Sequence, residues 1–420
     1  MSSEPLSDFI TAPDAHGYLD RKVRELRLIA SALRSRIDLS AVSRPSDIVD
    51  LKFRLAAQCK ADAMVSNWHS TETRWSGASC RSGPFRFGYD YQRADLKVQG
   101  PDDYELLRCH PHQHTIYTSA GMAAMTAVLV GAARVLGPCS VEATPNCYPE
   151  TRELADLLGM SDAAQCKVRV IDTTIDSVAA LEARARDVSL FVIDTSCVAR
   201  TSGRLRALVS RLAATGVPVA LVRSHMKLDS LGVEYGRLGS IVFLERGPLS
   251  EAAETAVRLT GTAPVPNHFA SFAQGAEFRT LTRLRVAAMI RNGREIARAL
   301  RDVRNSTLLT FPHGLYLALL VPAADSEDAA RSLARSLART IADAGLPARH
   351  AGSFGFDFFG CEWFRQTSSG RFGVRISMCD APQALAADVA AIVREWLVRL
   401  DRAIPPIPFP GPLLGDGRRA

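Results

Sequence analysis

Lys227 stands between Met226 and Leu228, just beyond the apolar run at 217–222. Apolar company favours the neutral amine that imine formation requires. The chain holds only six lysines, at positions 22, 52, 60, 97, 167 and 227, so lysine chemistry has few possible homes. A second strand-like run, 190–193, delivers Asp194 to its C-terminal end, where ligands of open α/β sheets gather. A carboxylate there suits a protonated ring nitrogen, although an aspartate after a strand is more often a cap or turn residue. Thr118-Ser119-Ala120-Gly121-Met122-Ala123-Ala124 joins a strand at Ile116-Tyr117 to an uncharged helix. Small residues at a helix start let free backbone N–H groups approach a phosphate, and the helix dipole favours its charge. The same segment also reads as a tightly packed turn. Ser224, three residues before Lys227, offers a hydroxyl to the same anion. Arg375, in Val374-Arg375-Ile376-Ser377, has the bidentate geometry that carboxylates need, and in isolation reads equally as a rim salt-bridge residue.

These residues need a scaffold, and the chain changes character in a way that supplies one. From about residue 115 short apolar strands alternate with helical segments such as 123–135 and 205–214, which predicts a mainly parallel sheet covered by helices. Before it, helical patterns at 19–36 and 45–59 and a polar, irregular stretch at 71–84 predict an N-terminal extension or substrate-side cap. After it, one long helix at about 266–305 leads to strand-like 314–321, helical 324–344, strand-like 373–378 and helical 383–401. The expected division is a helical extension at 1–85, a large cofactor-binding domain at 86–260, a linker helix with a small C-terminal domain at 261–403, and a proline-rich tail at 404–420. No internal repeat is present. The formal charge of +7 comes from 51 basic and 44 acidic residues with no run of five basic ones, which points to anionic small molecules rather than nucleic acid. Neither an export signal nor an 18-residue apolar window occurs, so a cytoplasmic protein without membrane contact is expected. Nine cysteines without CxxC pairs suit reduced thiols. Walker and GxGxxG patterns are absent, which argues against nucleotide folds.

Taken in order from about 89 to 380, several segments resemble the fold-type-I pyridoxal-phosphate enzymes, especially the family of cystathionine synthases, cystathionine lyases and methionine gamma-lyase. Tyr91-Gln92-Arg93 is similar to that family's Tyr-x-Arg, and Ser119-Ala120-Gly121-Met122-Ala123-Ala124 to its Ser-Gly-Met-Ala-Ala turn with one inserted alanine. Tyr148 in Cys147-Tyr148-Pro149-Glu150-Thr151, Asp194, Ser224-His225-Met226-Lys227 and Val374-Arg375-Ile376-Ser377 resemble its ring-stacking, pyridinium, lysine and Arg-Leu-Ser segments. The resemblance implies a mainly parallel seven-stranded α/β sheet with helices on both faces, plus a smaller α+β C-terminal domain. It implies pyridoxal 5'-phosphate as cofactor, held as a Schiff base on Lys227. Ser119, Ala120, Gly121, Met122, Ser224 and Arg237 would bind the phosphate, with Tyr91 and Arg93 reaching it from the neighbouring subunit of a homodimer or dimer of dimers. Asp194 would face the pyridinium, Tyr148 would stack on the ring and assist proton transfer alongside Lys227 and Tyr91, and Arg375 and Ser353 would hold the substrate.

Departures bear on the reaction. Thr195 follows Asp194 where the family has asparagine, Met226 replaces a threonine, and the Gly-Ile-Glu after the arginine strand is missing. Leu231-Gly232-Val233-Glu234-Tyr235-Gly236-Arg237-Leu238-Gly239 is more similar to aminotransferases, whose arginine near this position binds phosphate. The leading expectation is γ- or β-elimination or replacement on an amino acid such as an activated homoserine or S-adenosylmethionine. The alternatives are an aminotransferase and, from another class, a non-catalytic scaffold or sensor. His110, His112 and His114 lack an acidic or cysteine partner nearby, so no metal is expected; Cys147 and Cys197 are expected to be inert, and Arg331, Arg335 and Arg339 to line a solvated helix face.

Overall fold

In the computed structural model the described residues are 15–33, 36–39, 42–64, 79–82, 85–89, 96–100, 113–144, 147–160, 166–173, 187–234, 238–264, 276–303, 306–311 and 314–403. Two helices come first, α1 (Ala15–Ala30) and α2 (Pro45–Met64), followed by a three-stranded antiparallel sheet of β1 (Ser79–Ser82), β2 (Phe85–Tyr89) and β3 (Leu96–Gln99). Residues 79–82 therefore depart from the expected irregular stretch. Phe85 and Phe87, two apart on one face, are buried against Tyr117 and Leu238, and the polar Ser-Cys-Arg-Ser strand pairs with that anchored neighbour.

The central sheet is built from β4 (His114–Thr118), β5 (Cys139–Ala143), β6 (Cys166–Asp172), β7 (Leu190–Asp194), β8 (Val219–Ser224) and β9 (Gly239–Phe243). Their order is β4-β9-β8-β7-β6-β5; β5 to β8 are parallel, and β9 runs against both β8 and β4. The described residues supply six strands where seven were expected. Leu190 and Val192 point to one side, with α3 (Gly121–Leu136) and α6 (Pro248–Leu259), whereas Phe191 and Ile193 point to the other, with α5 (Gly203–Ala213). A strand apolar on both faces is what a parallel sheet sandwiched between helices demands. The short α4 (Pro149–Leu157) follows β5.

The helix α7 (Ala276–Ala299) leads to a second sheet of β10 (Thr307–Thr310), β11 (Tyr316–Leu320), β12 (Ala348–His350), β13 (Phe359–Arg365) and β14 (Phe372–Ser377), in the order β10-β11-β14-β13-β12. Helices α8 (Glu327–Asp343) and α9 (Gln383–Ala403) complete its apolar core. Arg335 and Arg339 lie on the exposed face of α8, as expected.

The N-terminal helices are bound into the molecule rather than laid over it. Leu26, Ile29, Leu51 and Leu55 bury their side chains against Phe278 and Leu281 of α7 and against Leu231 and Val233, just downstream of Lys227. Each such burial contributes about 1.5–3 kcal/mol. Beside this apolar seat lies a buried charge network. Lys22 reaches Glu25 at 2.9 Å, Asp357 at 2.5 Å and Asp380 at 2.7 Å; Arg285 reaches Asp357 at 2.6 Å and Glu25 at 3.1 Å; Arg21 reaches Asp380 at 2.7 Å. Lys52 pairs with Glu25 at 3.0 Å and donates to the Leu231 carbonyl. Burial alone would raise the Glu25, Asp357 and Asp380 carboxyls, but the surrounding cations outweigh it and hold all three below the ordinary carboxylate range.

Candidate active site

The parallel strands end on one rim. Asp172 pairs with Asp194 across β6 and β7, and Thr118 and Ser224 both pair with Gly239, so the ends of β4, β6, β7 and β8 lie side by side. Open α/β sheets bind ligands at this edge. The start of α3 carries no side-chain cap, which leaves its first N–H groups for a ligand or solvent. A Cβ at Gly121 would lie 2.7 Å from the Ser224 Cβ, so only glycine lets this turn close on the strand that leads to Lys227. The Ser119 N–H is committed to the Thr262 carbonyl at 2.7 Å. The cradle therefore consists of the α3 start and Ser224.

Lys227 sits three residues beyond β8 and is 27% exposed, so its amine is within reach of solvent. Its Nζ donates to Ser353 Oγ at 2.6 Å and lies 5.6 Å from the Phe354 ring centre. The segment beneath it is fixed by a buried knot. Arg223 grips Asp229 with two bonds, Nε to Oδ2 at 2.6 Å and Nη2 to Oδ1 at 2.8 Å, and donates to the Thr195 and Val198 carbonyls. His225 spans Asp229 at 2.8 Å and Ser240 at 2.9 Å. Burial would raise the Asp229 carboxyl; Arg223, Arg200 and His225 hold it well below the ordinary range. Gly355, with φ of 93°, brings a second loop onto the Lys227 carbonyl, where a Cβ would meet the oxygen at 2.9 Å.

Asp194, half-buried at the end of β7, accepts from the Ser196 N–H at 2.9 Å and is also bonded by the Ser196 side chain. Burial pushes its carboxyl up, and Ser196 with the Arg223 charge offsets only part of the shift. A partly desolvated carboxylate favours a cationic neighbour. Tyr148, 42% exposed, caps the start of α4 and donates to Glu150 Oε1 at 2.6 Å. Burial, Glu150 and the charge of Asp194 push its hydroxyl up. From the second sheet, β14 contributes Arg375, whose Nη2 donates to the Gly352 carbonyl at 2.6 Å and whose guanidinium lies 5.5 Å from the Tyr316 ring centre. Its Nε is buried with no protein partner, an open donor of the kind a carboxylate fills. Burial lowers its proton affinity, and the Tyr316, Glu362, Cys197 and Tyr148 groups oppose that change.

The rim thus gathers Gly121, Ser224, Lys227, Asp194 and Tyr148, and the loop at 352–355 joins Ser353 and Arg375 to them. Tyr91, Arg93 and Arg237, together with His110 and His112, lie outside the described residues. Three residues were not anticipated. Tyr316 lies under Arg375, Asp172 lies beside Asp194, and Glu234 accepts from Ser353 Oγ at 2.5 Å and lies 3.6 Å from Lys227 Nζ. Asp172 ends a strand and so carried the same signal as Asp194, whereas Tyr316 opens β11 and carried no such signal, nor did Glu234. Cys147 is buried, and burial pushes its thiol up, in keeping with an inert group.

No protein-family profile matches the chain, and no curated protein matches it in sequence. Solved structures do match. The cystathionine gamma synthase of Xanthomonas oryzae pv. oryzae, in complex with cystathionine, is 16% identical and superposes with a TM-score of 0.51 over 71% of this chain and 84% of that one. This chain has the fold of that synthase. A methionine gamma lyase from Micromonospora echinospora (17% identity, TM-score 0.49, 70% and 83% covered) and the yeast cystathionine gamma-lyase (14%, 0.48, 70% and 84%) are also similar. At these identities the likeness is one of fold. The expected α/β architecture with a smaller C-terminal sheet is the one observed. No helix among the described residues is long and apolar enough to cross a membrane.

Proposed function

We propose that this chain is a pyridoxal 5'-phosphate-dependent lyase or transferase that eliminates or replaces a group at the γ or β carbon of an amino acid. The observation that carries the reading is the rim itself: a reachable lysine, a half-buried carboxylate at a strand end and an uncapped helix start closed against Ser224 by Gly121. These groups fit the cofactor's aldehyde, its ring nitrogen and its phosphate respectively. When bound, the cofactor supplies the electron sink that protein side chains lack.

The chain's own residues supply the rest. Lys227 would hold the cofactor, and its amine would serve as the base that moves the α and β protons of the substrate. Asp194 would favour a protonated ring nitrogen, and the exposed ring of Tyr148 would cover the cofactor. Arg375 holds the substrate carboxylate through its open Nε, and Ser353 positions both Lys227 and the loop that Arg375 grips. Tyr91 and Arg93 complete the phosphate site across a homodimer interface, which makes the dimer the smallest competent unit.

Substrates with a good γ leaving group, such as acylated or phosphorylated homoserine, cystathionine and S-adenosylmethionine, suit this scheme. The test is a product assay on cofactor-loaded protein. Release of α-ketobutyrate or a γ-substituted product supports the proposal, whereas stoichiometric keto acid with conversion to the pyridoxamine form supports an aminotransferase. No spectral change with any amino acid would favour the scaffold reading.

A further inference from the structure

Glu234 has no role assigned by the resemblance, yet it is tied to the Lys227 amine. The chain of bonds runs from Lys227 Nζ to Ser353 Oγ at 2.6 Å and from Ser353 Oγ to Glu234 Oε1 at 2.5 Å, with Nζ and Oε1 3.6 Å apart. Its backbone is also unusual. Glu234 has φ of 48°, a left-handed conformation that non-glycine residues seldom adopt, and Leu231 three residues earlier has φ of 51°. Ser230 Oγ holds this turn, accepting from the Glu234 N–H at 3.0 Å while donating to the Met226 carbonyl at 2.7 Å. Strained backbone persists where the surroundings over-determine it, and such positions cluster at functional sites. Here the outcome is a carboxylate turned back toward a lysine seven residues before it.

We infer that Glu234 is a positioning residue that holds the Lys227 amine in place, directly by its charge and through Ser353, and so slows its attack on an electrophile. This rests on the reading of Lys227 as the cofactor lysine.

The other charges around Glu234 are already engaged or distant. A cavity of about 150 Å³ on its far side is lined by Lys52 and Lys60 of α2 and by Asp357. Lys52 is held by Glu25, Asp357 and the Leu231 carbonyl, and Asp357 by Lys22 and Arg285. Lys60 is exposed, and on the near side Asp229 is committed to Arg223 and His225. Among the described residues Lys227 is the cation that pairs with Glu234.

The test is competitive acylation of the cofactor-free protein with a trace of acetic anhydride, read lysine by lysine by mass spectrometry with Lys60 as internal standard. Glu234→Gln keeps an acceptor for Ser353 but removes the charge, and Lys227 should acylate about tenfold faster than in the parent near neutral pH. Glu234→Gly, which suits the left-handed backbone, should give the same acceleration, and Glu234→Asp should stay close to the parent. Acceleration in the glycine variant but not in the glutamine variant would assign a purely structural role and overturn the inference, as would no change in either. Protection of Lys227 by added pyridoxal phosphate is scored separately. Its absence would refute the cofactor reading without touching the Glu234 result.

Discussion

Asp357 is the anion on which the N-terminal helices depend. Its carboxylate faces Lys22 at 2.5 Å, Arg285 at 2.6 Å and Lys52 at 3.3 Å, all inside the protein. The network holds four cations (Arg21, Lys22, Lys52, Arg285) and three carboxylates (Glu25, Asp357, Asp380), so Asp357→Asn leaves four against two. Removing one partner of a buried ionic group costs about 3–5 kcal/mol because the remaining charges stay desolvated. Set against a typical total of about 5–15 kcal/mol, that is a large loss. With an m-value of about 3 kcal/mol/M or more for a large chain, the urea midpoint should fall by about 1 M at unchanged slope. Adding Lys52→Met restores the parent excess of one cation, three against two, so the double variant should lose less than the sum of the single ones. The pH dependence has a fixed sign. Because the folded carboxyls titrate below their unfolded values, their stabilisation is present above about pH 4 and lost as pH falls further. Asp357→Asn should flatten that acid limb by about 1.4 kcal/mol per pH unit at most, the share of one proton. A loss under about 1 kcal/mol, or strict additivity in the double variant, would refute the account of the network.

Two site variants give sharper local tests. Gly121→Ala drives a methyl group into Ser224, so pyridoxal phosphate should bind at least about tenfold more weakly in an absorbance titration and the fold should lose about 1–3 kcal/mol; unchanged affinity would remove the α3 start from the phosphate site. Arg375→Lys keeps the charge but loses the planar fork and its buried Nε, so KM for the amino acid should rise about tenfold or more with cofactor affinity unaltered; a change confined to cofactor affinity would contradict its role as carboxylate clamp.

The elements that periodicity describes well were legible in the sequence. The runs at 190–193 and 217–222 became strands of the parallel sheet, and the residues that end them, Asp194 and Ser224, fell on one rim, because a parallel sheet puts all such ends together. The charge network was hidden for a physical reason. In α1, Lys22 and Glu25 lie three apart and resemble a solvated pair, yet Tyr18, Lys22, Glu25 and Ile29 form one helical stripe, and that stripe faces the core. The partners that make its burial tolerable, Asp357 and Asp380, lie more than three hundred residues away. Lysine rarity pointed to Lys227, but Lys22 and Lys52 turned out to be as secluded as any core residue, held by ion pairs. Glu234 was invisible for a similar reason, since Ser353, which joins it to Lys227, is 119 residues distant in sequence. Polar residues at 79–82 gave no strand signal because their pairing is imposed by the buried Phe85 and Phe87 next to them.

The central claim is that Lys227 carries the cofactor. Incubation of the purified protein with pyridoxal 5'-phosphate, reduction with borohydride and peptide mapping by mass spectrometry test it directly. The predicted result is a yellow protein bearing a single pyridoxyl-phosphate label on Lys227. A colourless protein without label, or a label on Lys52, Lys60 or another lysine in place of Lys227, would contradict it.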